Sequence, residues 1–228
     1  MRIAGLQKLS LLDYPGEIAC TVFLSGCNLR CPFCHNASLV LPERQCDEMS
    51  EDELFSFLDS RRGKLTAVCI SGGEPTVQRD TCDLIKRIKD MGLRVKLDTN
   101  GTNPGMLKYL VSEGLVDYVA MDIKSSREGY AAAVGIEGFD TSRIEESAEY
   151  LMSCGIDFEF RTTVTRELHT ENEIISIGKW LTGGEKYFLQ TFRDSSDLVG
   201  EGMSAYSEAE MKELAKILCK FVPLAQIR

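Results

Sequence analysis

Six times along this chain a short run of apolar and β-branched residues gives way to a longer amphipathic segment. The runs Ile18–Ser25, Ala67–Ser71, Arg94–Thr99, Tyr118–Lys124, Asp157–Val164 and Lys186–Phe192 read as strands. The segments Glu51–Arg61, Arg79–Met91, Pro104–Glu113, Arg143–Cys154, Glu171–Leu181 and Glu208–Phe221 repeat apolar residues at helical spacing. Helix punctuation agrees with this division. Ser50/Glu53, Ser142/Glu145, Thr170/Glu173 and Ser207/Glu210 fit the S/T-x-x-E capping box. Gly92, Gly114 and Gly155 stand where a helix C-terminus calls for a left-handed residue, and Pro104 suits a first helical turn.

Alternating strands and helices with right-handed crossovers build a parallel sheet covered by helices. Six units are fewer than the eight that close a barrel. The expected fold is therefore α/β, a partial (βα)6 TIM-like barrel, with a doubly wound open sheet as the other arrangement of the same pattern. The chain shows no linker or repeat. It is expected to form one domain over 1–228, an N-terminal segment 1–17 leading into six βα units over 18–221. Ser125–Gly138, rich in small and polar residues, is expected to be a mobile loop. Either architecture binds ligands at the C-terminal ends of the strands.

Those ends are where the chemistry concentrates. After the first strand come Cys27, Cys31 and Cys34, spaced C-x3-C-x2-C. Three soft thiolates so close in sequence can share one metal centre, and on a 4Fe–4S cluster they leave one iron open. The second strand ends in Ser71-Gly72-Gly73-Glu74-Pro75, where glycines permit close backbone approach to a ligand and Glu74 adds a carboxylate. The remaining strands end in Asp98-Thr99-Asn100-Gly101, Met121-Asp122-Ile123-Lys124, Arg161-Thr162-Thr163-Val164 and Gln190-Thr191-Phe192-Arg193. Thiols, carboxylates and cations at one rim suit a zwitterionic, cationic ligand held beside a cluster.

C-x3-C-x2-C followed by Gly-Gly-Glu-Pro resembles the radical S-adenosylmethionine (SAM) superfamily over nearly the whole chain. Asp13-Tyr14-Pro15-Gly16, Cys34-His35-Asn36, Asp98-Thr99-Asn100-Gly101 and Asp122-Ile123-Lys124 further resemble the glycyl-radical-enzyme activating enzymes. Within these, the resemblance is greatest to the group that activates anaerobic ribonucleoside-triphosphate reductase. It implies a fold of radical SAM type and one 4Fe–4S cluster on Cys27, Cys31 and Cys34, with the amine and carboxylate of SAM on the open iron. It implies Phe33 near the adenine, and Gly72, Gly73 and Glu74 orienting the methionyl amine. Asp98 and Asp122 fall where the family places carboxylates for the amine, the ribose or a bound monovalent cation. Lys124 would pair with the methionyl carboxylate, and Arg193 stands where a related activase carries a histidine for the same group.

The implied activity is reductive cleavage of SAM and abstraction of a glycine Cα hydrogen from a partner glycyl radical enzyme. A flavodoxin or ferredoxin would be the electron donor. The activases' D-G-x-G-x-R pattern is broken here by Tyr14 and Ile18, which bears on the identity of the partner. Two other functions compete: a radical SAM enzyme acting on a small molecule or peptide, and an iron–sulfur electron carrier or metal-binding module. Cys31-Pro32-Phe33-Cys34-His35 also spells a haem attachment motif, and with Cys27 it could be a zinc site, but neither explains the other strand ends.

Bland roles are expected for the rest. Cys69, Cys82, Cys154 and Cys219 read as core residues and Cys20 as a strand residue, while Cys46 has no assignment. His169 reads as a surface residue, Trp180 as packed, Arg161 as a salt-bridged structural residue or a site cation, and Tyr14-Pro15-Gly16 as a β-turn. A formal charge of -9 argues against nucleic acid as a partner. The absence of a long apolar run or a signal-like start argues for a cytosolic protein with no membrane contact.

Overall fold

The chain begins with a strand that its pattern did not announce. In the structure, a computed structural model describing residues 2–41, 44, 48–195 and 197–228, β1 (Ile3–Ser10) pairs antiparallel with β2 (Ala19–Leu24). β1 carries Gly5 and exposes Gln7, Lys8 and Leu9, so it lacks both the alternation and the continuous burial that mark a strand in sequence. The other strands are β3 (Ala67–Gly72), β4 (Arg94–Thr99), β5 (Tyr118–Asp122), β6 (Asp157–Val164), β7 (Lys186–Thr191) and a second unannounced one, β8 (Leu224–Ile227). Strand order follows chain order from β1 to β8. β2–β3, β3–β4, β6–β7 and β7–β8 are parallel. The fold is α/β with a parallel sheet of partial TIM-barrel type, as expected.

The helices are α1 (Ala37–Val40), α2 (Glu51–Ser60), α3 (Thr81–Asp90), α4 (Pro104–Ser112), α5 (Tyr130–Val134), α6 (Ser142–Ser153), α7 (Glu171–Trp180) and α8 (Glu208–Leu218). Ser50 and Ser207 form complete capping boxes with Glu53 and Glu210. Thr170 caps α7 through the Glu173 amide, while the Glu173 carboxylate accepts from Ser125 Oγ at 3.1 Å. The box expected at Ser142 is displaced. Thr141 precedes α6, its hydroxyl donates to Glu145, and Ser142 instead bonds Asp140. The segment expected to be one mobile loop holds α5, built on three consecutive alanines and ended by Gly135 at φ 68°. Tyr130 anchors it by stacking on Phe139 at 5.5 Å. Among the described residues, no helix is long and apolar enough to cross a membrane.

Two compact units emerge. The first comprises Met1–Asn28, Ser38–Thr99 and Gly105–Val119, and the second Leu29–Ala37, Asn100–Pro104 and Ala120–Arg228. In the first, β3 is buried on both faces, which explains its unbroken apolar sequence. Tyr14 packs with Ala19, Ala67 and Tyr118, the first residues of β2, β3 and β5. The Glu17 amide donates to Tyr14 O at 3.2 Å and Gly16 has φ 80°, so Tyr14–Glu17 is a type II turn with Pro15 at its second position. That turn lies at the starting end of β2, opposite the end that leads to Cys27. In the second unit, Phe160, Tyr187 and Leu189 are fully buried, and α8 packs on β7, β8 and α7.

Candidate active site

Backbone packing at the end of β2 explains the glycine pair. In the first unit, the Gly73 amide donates to Leu24 O and the Glu74 amide to Gly26 O, each at 2.8 Å. A Cβ on Gly73 would stand 2.0 Å from Gly26 O and 3.2 Å from Cys27 N, and one on Gly72 would stand 2.3 Å from Leu24 O. The end of β3 therefore lies directly on the stem of the cysteine loop, a contact only glycine permits. Glu74 is fully buried and caps the 3-10 turn Pro75–Val77. Its Oε1 accepts from the Thr76 amide at 3.0 Å and from Thr99 Oγ1 at 2.7 Å, so the carboxylate serves the turn.

Asp98 stands on β4 with both oxygens engaged. Oδ2 accepts from Ser71 Oγ at 2.9 Å, and Oδ1 accepts from the ammonium of Lys96. Lys96 is 1% exposed, and Cys69, its register partner on β3, has Sγ 3.9 Å from Nζ.

In the second unit the part of the cysteine loop from Arg30 to Cys34 is held by backbone bonds. The Arg30 amide donates to Val134 O at 3.0 Å, where α5 ends. The Val199 amide donates to Cys34 O at 3.1 Å and the Gly200 amide to Pro32 O at 2.9 Å. A turn closes between Cys34 N and Cys31 O at 3.0 Å. Phe33 is buried and meets the His169 ring edge-on at 5.8 Å, while His35 stacks on Phe192 at 5.6 Å. Burial lowers the His35 pKa, with Lys124 adding to the effect and the Arg193 carbonyl opposing it. Arg193 itself is exposed, so it is its backbone that reaches His35.

Lys124 Nζ donates to Asp122 Oδ2 at 3.1 Å, and Arg161 Nε donates to Asp122 Oδ1 at 2.8 Å. Arg161 is thus salt-bridged. Burial disfavours the charged lysine, but Asp122 together with the nearby Cys31 and Cys34 outweighs it and holds Lys124 above the ordinary lysine range. Two residues central to this geometry were not recognised as such from sequence. Lys96 had a signal: a charge in phase with Asp98 in a strand that alternates polar and apolar residues. His169 had none, and the expectation that it lies on the surface is corrected by its complete burial. Its Nδ1 accepts from the Thr165 amide at 3.0 Å, and its Nε2 lies 2.8 Å from Lys124 O.

The remaining cysteines divide. Cys20 and Cys69 are buried, and burial pushes the Cys20 thiol up to about 12, which suits a core residue and not a ligand. Cys82, Cys154 and Cys219 are only partly buried, less than expected for core residues, and Cys46 lies outside the described residues. Trp180 is half-buried, against the edge of Tyr130 with Arg127 over its face.

Among the described residues, no three His, Cys, Asp or Glu side chains are grouped closely enough to hold a metal as they stand. The donor chemistry nevertheless fits an iron–sulfur cluster. Cys27, Cys31 and Cys34 are free of disulfides and soft donors, and Cys31 and Cys34 lie near the Lys124 ammonium. A monovalent cation fits less well, because Asp98 and Asp122 are both paired with protein cations.

Comparison with known proteins bears on these motifs. A protein of Methanocaldococcus jannaschii named as a glycyl-radical enzyme activating enzyme is 32% identical over 232 residues, covering 99% of this chain and 95% of its own length. The 7-carboxy-7-deazaguanine synthase of Koribacter versatilis is 31% identical over 72% of this chain and 70% of its own. Streptococcus suis SuiB shares the fold, with a TM-score of 0.71 at 14% identity over 91% of this chain, which spans about half (48%) of SuiB. The Radical SAM superfamily pattern matches residues 21–180, most of the sheet and both glycine and cysteine motifs. The chain belongs to the radical SAM superfamily.

Proposed function

We propose that this protein is a glycyl-radical-enzyme activating enzyme, which cleaves SAM reductively and takes a Cα hydrogen from one glycine of a partner enzyme. The observation that carries this reading is the full-length likeness to a protein named as such an activating enzyme, which covers 99% of one chain and 95% of the other. Cys27, Cys31 and Cys34 would hold one 4Fe–4S cluster. When bound, the cluster supplies an electron that breaks the sulfur–C5′ bond of SAM, giving methionine and a 5′-deoxyadenosyl radical.

The chain's own residues do the rest. Lys124, kept protonated by Asp122, offers a fixed cation to the methionyl carboxylate, and Arg193 could add a second from its exposed position. Phe33, held by His169, would lie near the adenine. By the same family resemblance, Gly72, Gly73 and Glu74 would orient the methionyl amine, and Asp98 would serve the amine or the ribose. Hydrogen bonds that hold such groups in place before SAM binds would lower the ordering cost of the reaction. Anaerobic ribonucleoside-triphosphate reductase is the partner this reading favours, with a flavodoxin or ferredoxin as donor and the cytoplasm as its location.

Anaerobic reconstitution should give about four irons and roughly four sulfides per chain, as a cubane cluster requires. Reduction with SAM should release 5′-deoxyadenosine, and addition of the partner should give a glycyl doublet in electron paramagnetic resonance. Release of 5′-deoxyadenosine without that doublet, for every glycyl radical enzyme of the same genome, refutes the activase reading. The likeness to 7-carboxy-7-deazaguanine synthase supports one alternative, a radical SAM enzyme of a small molecule, which that outcome would favour.

A further inference from the structure

A buried lysine beside an expected ligand of SAM is unusual chemistry, because an ammonium removed from water must be paired closely to remain charged. Lys96 is 1% exposed and lies in the middle of β4, flanked by Val95 and Leu97. Strand alternation puts Lys96 and Asp98 on one face, and the ammonium bonds Asp98 Oδ1. Ser71 Oγ fills Oδ2 of the same carboxylate, and Cys69 Sγ lies 3.9 Å from the ammonium. The aspartate that the family resemblance assigns to SAM or to a monovalent cation is therefore already neutralised by a cation built into the chain.

We propose that the Lys96 ammonium takes the place at Asp98 that a potassium or sodium ion would otherwise occupy, so that SAM binding here needs no free monovalent cation. An ammonium group carries the same charge as K+ and is close to it in size, yet it cannot dissociate or vary with the medium. Lys96 thereby acts through Asp98 as a positioning residue. The proposal rests on the SAM reading above only for its consequence for affinity, because occupancy at Asp98 can be measured without SAM.

The experiment titrates the cluster-reconstituted protein with Tl+, a spectroscopic stand-in for K+, followed by thallium NMR. Wild type should show no saturable site that depends on Asp98. Lys96→Met should gain one site, and Lys96→Met combined with Asp98→Asn should lose it. In parallel, the wild-type SAM dissociation constant should be the same in potassium and choline chloride at equal ionic strength. For Lys96→Met, potassium should tighten SAM by about tenfold, an ordinary coupling between two sites. A Tl+ site in wild type that Asp98→Asn abolishes overturns the proposal, as does a folded Lys96→Met with no new site. Should Lys96→Met fail to fold, wild type against Asp98→Asn decides the question alone. Failure of SAM to bind in any salt would count against the SAM reading, leaving the thallium result to judge Lys96.

Discussion

Replacing His169 with alanine should destabilise the protein far more than its place beside a capping box suggests. The Thr165 amide can only donate, so Nδ1 accepts and the proton sits on Nε2, which donates to Lys124 O. Alanine removes both partners and leaves a buried amide and a buried carbonyl unpaired, each costing ~1–3 kcal/mol. It also removes the ring packed against Phe33. Allowing for a water in the space, the expected loss is about 3–5 kcal/mol, read as a lower urea midpoint at unchanged m-value. His169→Gln, whose amide can both donate and accept, should recover most of it.

The same substitution carries a pH signature. Burial lowers the His169 pKa below 6.5, against the opposing Lys124 and Thr165 backbone contacts. The folded state then binds fewer protons than the unfolded state. The histidine's contribution should be complete above the unfolded pKa of ~6.5 and fall as pH drops below it towards the folded pKa. Wild type minus His169→Gln should show that fall, since His35 is common to both. A His169→Ala variant within about 0.5 kcal/mol of wild type, the ordinary range of a surface change, would refute the reasoning.

Three further outcomes follow from the geometry. Cys31→Ala should abolish cluster assembly and 5′-deoxyadenosine release while leaving the far-ultraviolet dichroism unchanged, and retained SAM cleavage would remove Cys31 from the ligand set. Gly73→Ala puts a Cβ 2.0 Å from Gly26 O, whereas Gly26→Ala meets nothing within 4 Å and only strains a φ of 91°. Overpacking at Gly73 should cost ~1–3 kcal/mol and lower iron content, while Gly26→Ala should keep its iron; equal effects would contradict the assigned contacts. Arg228 donates to both oxygens of the buried Glu159 at 2.7 and 3.0 Å. Arg228→Met should cost about 2–3 kcal/mol by urea unfolding, less than a fully buried pair because Arg228 is partly open to solvent.

The alternation of strand and helix was legible because a parallel sheet covered on both faces needs unbroken apolar runs, as in Ala67–Ile70. Arg94–Thr99 and Asp157–Val164 even begin and end where expected. β1 and β8 escaped notice because edge strands bury little; the Leu224 side chain is exposed and Ala225 is too small to mark a pattern. α5 was hidden by short length and flanking glycines. Site motifs were legible where chemistry demands rare residue types at fixed spacing. His169 was not, because its partners are the backbone groups of Thr165 and Lys124, and a backbone group leaves no trace in sequence.

The glycine pair shows how a motif can be read correctly in residue type and differently in cause. Gly72 and Gly73 were expected to admit a ligand, and their Cβ positions are instead filled by the backbone of Leu24 and Gly26. Tight contact with the stem of the cysteine loop fixes the direction in which the remaining amides and carbonyls of β3 can point. A rigid stem is also what three cysteine side chains on a short loop require, since a ligand set displaced by even a fraction of an ångström loses its geometry. The glycines thus support the proposed cluster by packing, whichever atoms finally meet SAM.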